Sequence, residues 1–569
     1  MGSGENTIPY LNEHVRAEGK SNPGISSVKK RFYALVTAIF IGLEAGLAAF
    51  VIKWTHPYSV ALFFVLSFIF IGTSYGISRQ IIALVSRYRP LNSLNEIPAG
   101  KRVALLYATM NDVVPECLSS ISQSYPCDVF VLDDSTSAAA TATVDAISSE
   151  KGYRVIRRKV RKGYKAGAIN NWFAEHSESY DYIVLLDSDS YLPPDWVAEA
   201  LKYAEHRANS AVAVFQGLVN IWNLDTEFVQ TLAPMSRIGQ FVWEEQLANE
   251  LDAVFCYGHN VMVRMSSLRE VGGFVEGYVS EDFATAVKLA EKGWHCRFLP
   301  LHTYEAMPEN VRGFIKRQNK WTRGSMEFFG LSLKSTLSAD RKYLLLQTPL
   351  GHFTNMLLPI GMILTVYGFT STGAGTSAFL STFISNPLVT FWSVPVLRYL
   401  LVVGIFSAIP NTLVRLKCRI RYPVYLRARW LSAAVAAISF PYEFKSMLAY
   451  IRSGLRTVPV TPKSEEPLTI SEILHLSRYS MGFELVLVAG IAMFNPLAAV
   501  FNCTWLIPML VSPLIIRQYG GYPRGNPAVS GASDFSSSSL FPDPVSVHSA
   551  LSSSSARVSG SGRTAKRSA

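Results

Sequence analysis

The run YIVLLDSDS, residues 182–190, closes an apolar strand on two carboxylates one residue apart, Asp187 and Asp189. Acids in that place can cap a turn or the next helix. They can also hold Mg²⁺ or Mn²⁺, hard cations that take carboxylate oxygens together with substrate phosphates. Other strand ends are polar too. RVALLYATMND, 102–112, runs into a turn at Thr109, and CDVFVLDDST, 127–136, ends on Asp133 and Asp134. RKGYKAGAINNW, 161–172, is a glycine-bearing basic turn that carries Lys165 into a helix. Ligands of open α/β sheets sit at the carboxyl ends of strands. A cation on Asp189, supported by Asp187, would hold a diphosphate, and Lys165 would add a point charge to it. Asp133 and Asp134 would hydrogen-bond the base and ribose of the same donor, and Thr109 joins them as a donor-binding residue.

Downstream lie FCYGHNVMVR (255–264), GGF (272–274), SED (280–282) and RQNKW (317–321). In this order the motifs resemble the membrane-embedded family 2 glycosyltransferases with a GT-A fold, the group of cellulose, hyaluronan, chitin and curdlan synthases. That pattern runs through an aspartate pair, Lys-Ala-Gly-x-x-Asn, Asp-x-Asp, a glycine-rich acceptor loop, Gly-Gly-Phe, Thr-Glu-Asp and Gln-x-x-Arg-Trp. VPVTPK, 458–463, is similar to the family's gating loop Phe-x-Val-Thr-x-Lys, with Thr461 and Lys463 matching and Val458 replacing the aromatic.

The resemblance implies roles. Asp282, with Glu281 beside it, is the base that takes the acceptor proton in an inverting transfer, unless it merely caps the helix FATAVKLAEKG. Trp321 stacks under the acceptor sugar, unless it is an ordinary core tryptophan. Lys320, Thr461 and Lys463 join the donor set, and His259 and Cys256 of the acceptor loop face the acceptor. Two departures stand out. Lys320 replaces an arginine and lacks its planar two-pronged contact, while Arg317 replaces the leading glutamine. His259 replaces the usual Thr or Ser and leaves the sugar open.

These residues need a scaffold. Of 569 residues, 49% are hydrophobic and only 17% charged, which points to a membrane. Residues 1–31 read as a cytoplasmic lead and 32–78 as two spans, 32–51 and 58–77, with no removable signal peptide. Residues 90–342 alternate strands and amphipathic stretches, which reads as one α/β domain, and the resemblance implies that it is a GT-A domain with a Rossmann-like mixed sheet. Residues 343–517 return to apolar runs at 345–369, 392–409, 482–500 and 505–516, the last two divided by FNCT. That makes about two spans before the domain and about four after it. Residues 430–451, interrupted by Pro441, Glu443 and Lys445, read as interfacial because charge at membrane depth is costly. The tail 518–569, rich in Ser, Pro and basic residues, reads as disordered, with no second soluble domain after the spans.

Six bases and no acid in 411–429, against an uncharged 371–388, place the domain and both termini in the cytoplasm; the membrane expected is the plasma membrane. The net charge of +11 then needs no nucleic-acid partner, since the lipid bilayer accounts for it. Six cysteines without a C-x-x-C pair argue against zinc or a disulfide framework. The expected activity is inverting, metal-dependent polymerisation of a β-linked glucan-like polysaccharide from a nucleotide sugar such as UDP-glucose, extruded through the chain's own helices. The growing polysaccharide would be the acceptor. The alternatives are one-sugar transfer to a lipid, and a transporter or receptor with a degenerate domain. Intact Asp187, Asp189 and Asp282 speak against the last.

Overall fold

The computed structural model describes residues 27–87, 89–368, 381, 384–389, 395–453, 468–494 and 497–519. Thr461, Lys463 and the rest of the gating-loop match lie outside the described residues, as do nearly all of the tail and most of the N-terminal lead.

Two helices, α1 (Ser27–Phe50) and α2 (Pro57–Val85), precede a seven-stranded sheet. Its strands are β1 (Val103–Thr109), β2 (Cys127–Asp133), β3 (Arg154–Ile156), β4 (Tyr182–Leu186), β5 (Val212–Ile221), β6 (Val261–Arg264) and β7 (His295–Glu305). Helices α3 (Tyr164–His176), α4 (Glu281–Glu291) and α5 (Val311–Lys334) carry site residues. Then follow α6 (Ala339–Gly368), α7 (Pro395–Lys417), α8 (Tyr422–Ser453), α9 (Ile470–Phe494), α10 (Leu497–Leu510) and α11 (Ser512–Gln518).

The sheet order is β3-β2-β1-β4-β6-β5-β7, parallel except at β6, which runs antiparallel to both neighbours. Central strands buried on both faces read as unbroken apolar runs. Leu106, Phe130, Ile183 and Leu185 pack on one side with Trp172 of α3, while Leu105, Tyr107, Val131 and Val184 pack on the other with Trp196. The chain leaves β1 toward β2 on one side and later returns as β4 on the other. That reversal opens a crevice at the carboxyl ends of β1 and β4. Because β6 is antiparallel and Val261 pairs with Leu185, the residues just before β6 reach the same end of the sheet as Asp187.

Among the described residues five helices are long and apolar enough to cross a membrane: two before the sheet and three after, within α6, α7 and α9. The expected C-terminal fourth is not among them. FNCT is helical, inside α10, because Asn502 is buried and donates to Thr365 Oγ1 at 3.0 Å. The break comes instead at Val511, where Pro513 opens α11. At 14 residues α10 rises about 21 Å, short of a ~30 Å hydrocarbon core. The first pair also overruns 32–78, starting at Ser27 and ending at Val85. From Pro395 onward the 392–409 run lies in a helix that continues to Lys417. The 430–451 stretch is part of α8, which packs on α5 and on the helix Glu227–Gln240.

Candidate active site

The turn after β4 is built by its own polar groups. Asp187 N–H donates to Ser190 Oγ at 3.0 Å, and Ser190 N–H returns to Asp187 O at 3.0 Å. Tyr107 of β1 donates to Ser188 O at 2.7 Å, and Ser188 Oγ donates to Asp112 at 2.9 Å. Burial pushes the Tyr107 phenol well above its ordinary range, which keeps it a donor. Asp112 also takes the Thr109 hydroxyl at 3.0 Å. Thr109 therefore braces the turn.

Asp189 is buried, its carboxylate accepting Ala306 N–H at 3.3 Å and its carbonyl accepting Trp222 Nε1–H at 2.9 Å. Asp187 is more open and forms an ion pair with Lys165. Among the described residues no three or more His, Cys, Asp or Glu side chains group as a metal site. Two carboxylates of hard oxygen fit Mg²⁺ or Mn²⁺ in type, provided substrate phosphate and water complete the shell.

Lys165 joins the two halves of the crevice. From the first turn of α3 it reaches Asp187 and donates to the carbonyl of Gly258 at 2.7 Å. Burial opposes its charge, but Asp187, then Glu281 and Asp282, outweigh burial and raise its pKa. Gly258 has φ +75°, and a β-carbon there would meet Asp282 Oδ2 at 2.7 Å. Asp282 sits in the first turn of α4 with Ser280 as the N-cap, so it is not the cap itself. Burial, then Glu281, raises its carboxyl to about 7 against the pull of Lys165 and Lys320. Glu281 is likewise raised, by burial first.

The acceptor loop is held from beneath by Gln216, fully buried in β5. Its side chain accepts Tyr257 N–H at 3.0 Å and donates to the carbonyls of His259 and Asn260 at 3.0 and 3.1 Å. His259 Nε2 stands 3.3 Å from Glu305 at the end of β7. The Cys256 side chain lies in the core, and burial raises its thiol well above the usual range.

Helix α5 brings Lys320 and Trp321. Trp321 is 50% exposed, with the Arg317 guanidinium 4.6 Å over its ring. A turn later α5 backs onto the loop before Asp282. A β-carbon at Gly324 would lie 2.3 Å from Ser280 Oγ. Glu327 accepts Val279 N–H at 2.9 Å and Ser280 N–H at 3.2 Å. Trp321 and Asp282 thus belong to one packed unit.

Asp133 and Asp134 are engaged within the protein. Arg157 Nε donates to Asp133 at 2.7 Å, and Arg158 pairs with Asp134. The sequence reading missed Asp112, Gln216, Glu305 and Glu327. Gln216 and Glu327 carried a signal, a polar residue inside an apolar run (VFQGL and SMEFF).

Residues 182–519, over half of the chain, match the family described as Glycosyl transferase family group 2. Glucomannan 4-beta-mannosyltransferase 1 of Oryza sativa subsp. japonica is 26% identical over 217 residues, 36% of this chain and 41% of that protein. Glucans biosynthesis glucosyltransferase H of Pseudomonas fluorescens is 25% identical over 276 residues, 42% of this chain and 31% of that protein. The chain thus spans less than half the length of these curated relatives. The solved mannosyltransferase PcManGT from Pyrobaculum calidifontis, in complex with GDP-Man and Mn²⁺, aligns at a TM-score of 0.43 and 18% identity, covering 65% of this chain and 99% of that one.

Proposed function

Because the chain belongs to glycosyl transferase family group 2, we propose that it is an inverting hexosyltransferase that builds a β-linked polysaccharide from a nucleotide sugar. The observation that carries this reading is the line Asp187–Lys165–Gly258–Asp282. It sets groups suited to a leaving diphosphate one residue from a buried carboxylate suited to take a proton. A divalent cation held by Asp189 and Asp187 would supply charge neutralisation at the diphosphate. Lys165 and Lys320 add positive charge around it. Asp282 accepts the proton of the acceptor hydroxyl, and Gly258 lets the loop approach that carboxylate. Trp321 offers a ring to the acceptor sugar.

Relatives named for mannosyl and glucosyl transfer support a hexose donor, and we take UDP-glucose as the first candidate. The five apolar helices among the described residues support a membrane protein, and the six bases of 411–429 support a sheet domain on the cytoplasmic side, with the product leaving between the helices. Lys320 in place of arginine favours a second reading, transfer of one sugar to a lipid, since it offers a weaker diphosphate contact. Trp321→Ala separates the two. Loss of polymer with donor binding retained supports the first, and unchanged transfer of a single sugar supports the second.

A further inference from the structure

Trp321 is held from behind by polar contacts among three helices. Thr322, the next residue of α5, is fully buried, with Oγ1 3.1 Å from Nδ1 of His352 on α6. The same Nδ1 is 3.2 Å from Oε2 of Glu443 on α8, a residue only 5% exposed. Both contacts run through the same ring nitrogen, so Thr322 and Glu443 meet at one edge of the imidazole. Nearly one turn along α8, Ser446 accepts Arg323 Nε–H at 2.9 Å and donates to the carbonyl of Asn319 at 3.2 Å. Residues 319, 322 and 323, which bracket Trp321, are thereby tied to α6 and α8, while the Trp321 ring stays half open.

Buried imidazole–carboxylate contacts are poor sources of net stability, because desolvation offsets their attraction. Their best-attested contribution is register. A slip of α5 by one residue turns its side chains by about 100° and breaks the three contacts that α5 itself makes, at Asn319, Thr322 and Arg323. The apolar packing alongside centres on Met326, Met356 and Met447, unbranched side chains that fill gaps, with Phe329, Phe353 and Tyr450 packed against them.

We propose that His352, Glu443 and Ser446 are positioning residues for the acceptor: they set the depth and rotation of Trp321 without touching substrate. This rests on reading Trp321 as the acceptor platform.

The test uses the full chain in nanodiscs with Thr322→Val, which keeps the shape and loses the hydroxyl, Glu443→Gln, and Thr322→Ser as the rescue. Donor KM should stay within about twofold while sugar transfer falls about tenfold or more, the scale of a small misplacement. Thr322→Ser should restore transfer. Hydrogen exchange of amides 317–325 should quicken about five- to tenfold in the first two variants, the equivalent of one lost hydrogen bond, and not in the third. Wild-type transfer and exchange in both disruptive variants would overturn the proposal. So would a donor KM that worsens in step with transfer, since that reports general damage. A wild-type protein that transfers no sugar would overturn the functional reading instead, and exchange alone would then decide whether these residues fix α5.

Discussion

Gly258 leaves open the space that the Asp282 carboxylate fills. The glycine sits at φ +75°, and the carboxylate fills the place of its missing side chain, 2.7 Å from where a β-carbon would be. The carbonyl of that glycine is held by Lys165, which also pairs with Asp187, so a displacement at either end is felt at the other.

Gly258→Ala is expected to displace Asp282 and strain the loop. Transfer should fall about 10²-fold through misplacement of the base, and stability by about 1–2 kcal/mol through the left-handed backbone. Turnover measured beside a thermal melt checks both. Normal turnover would mean that Asp282 can move without consequence.

The Asp282 carboxyl, raised to about 7 mainly by burial, gives a pH dependence of definite sign. A base works deprotonated, so turnover should climb as the pH rises through neutrality and level off above it. The same shift means that folding stability falls as the pH rises from about 4, the unfolded pKa, to about 7, and levels off above. Asp282→Asn should retain donor binding, lose about 10²-fold or more in transfer and lose the acid limb. A pH–rate profile that is flat across neutrality in the wild type would contradict the assignment.

Removal of divalent cations should abolish turnover, because side chains alone neutralise a leaving diphosphate poorly. Asp189→Asn should need more Mg²⁺ or Mn²⁺ for half-maximal rate. Full activity in excess EDTA would remove the metal from the account.

Asp252 offers a test of the scaffold alone. It sits at φ +54° and binds His295 and Arg297, each at 2.8 Å, as well as Arg341. Burial works against its charge, yet these partners outweigh burial and hold its carboxyl well below the usual range. A depressed carboxyl stabilises the fold above its unfolded pKa of about 4, and that stability drains away as the pH falls further. Asp252→Asn should cost about 2 kcal/mol at neutral pH and flatten the acid side of a melting-temperature profile. An unchanged melting temperature would show that the cluster contributes nothing net.

The strand ends were legible because parallel strands buried on both faces leave an apolar run that stops at the first ligand-facing acid, as in VLLDSD. Partnerships across the chain were not. Glu443 reads in sequence as a charge that bars the membrane, but its partner His352 comes 91 residues earlier and only the fold brings them together. Asn502 likewise reads as a break, although its amide finds Thr365, 137 residues away. Asp133 and Asp134 suggested a nucleotide pocket, and their pairing with Arg157 and Arg158 depends on β3 lying beside β2. Antiparallel β6, which swings the Gly258 loop over Lys165, leaves no local pattern.

The most direct measurement is of product. Purified full-length protein in nanodiscs should be given UDP-glucose and GDP-mannose separately, with Mn²⁺ or Mg²⁺, and the product sized after organic extraction. The account predicts a high-molecular-weight glycan from one of these donors, insoluble in the organic phase and digested by a β-linkage-specific glycosidase. A short, lipid-extractable product carrying a single sugar, at saturating donor and over long incubation, would contradict it.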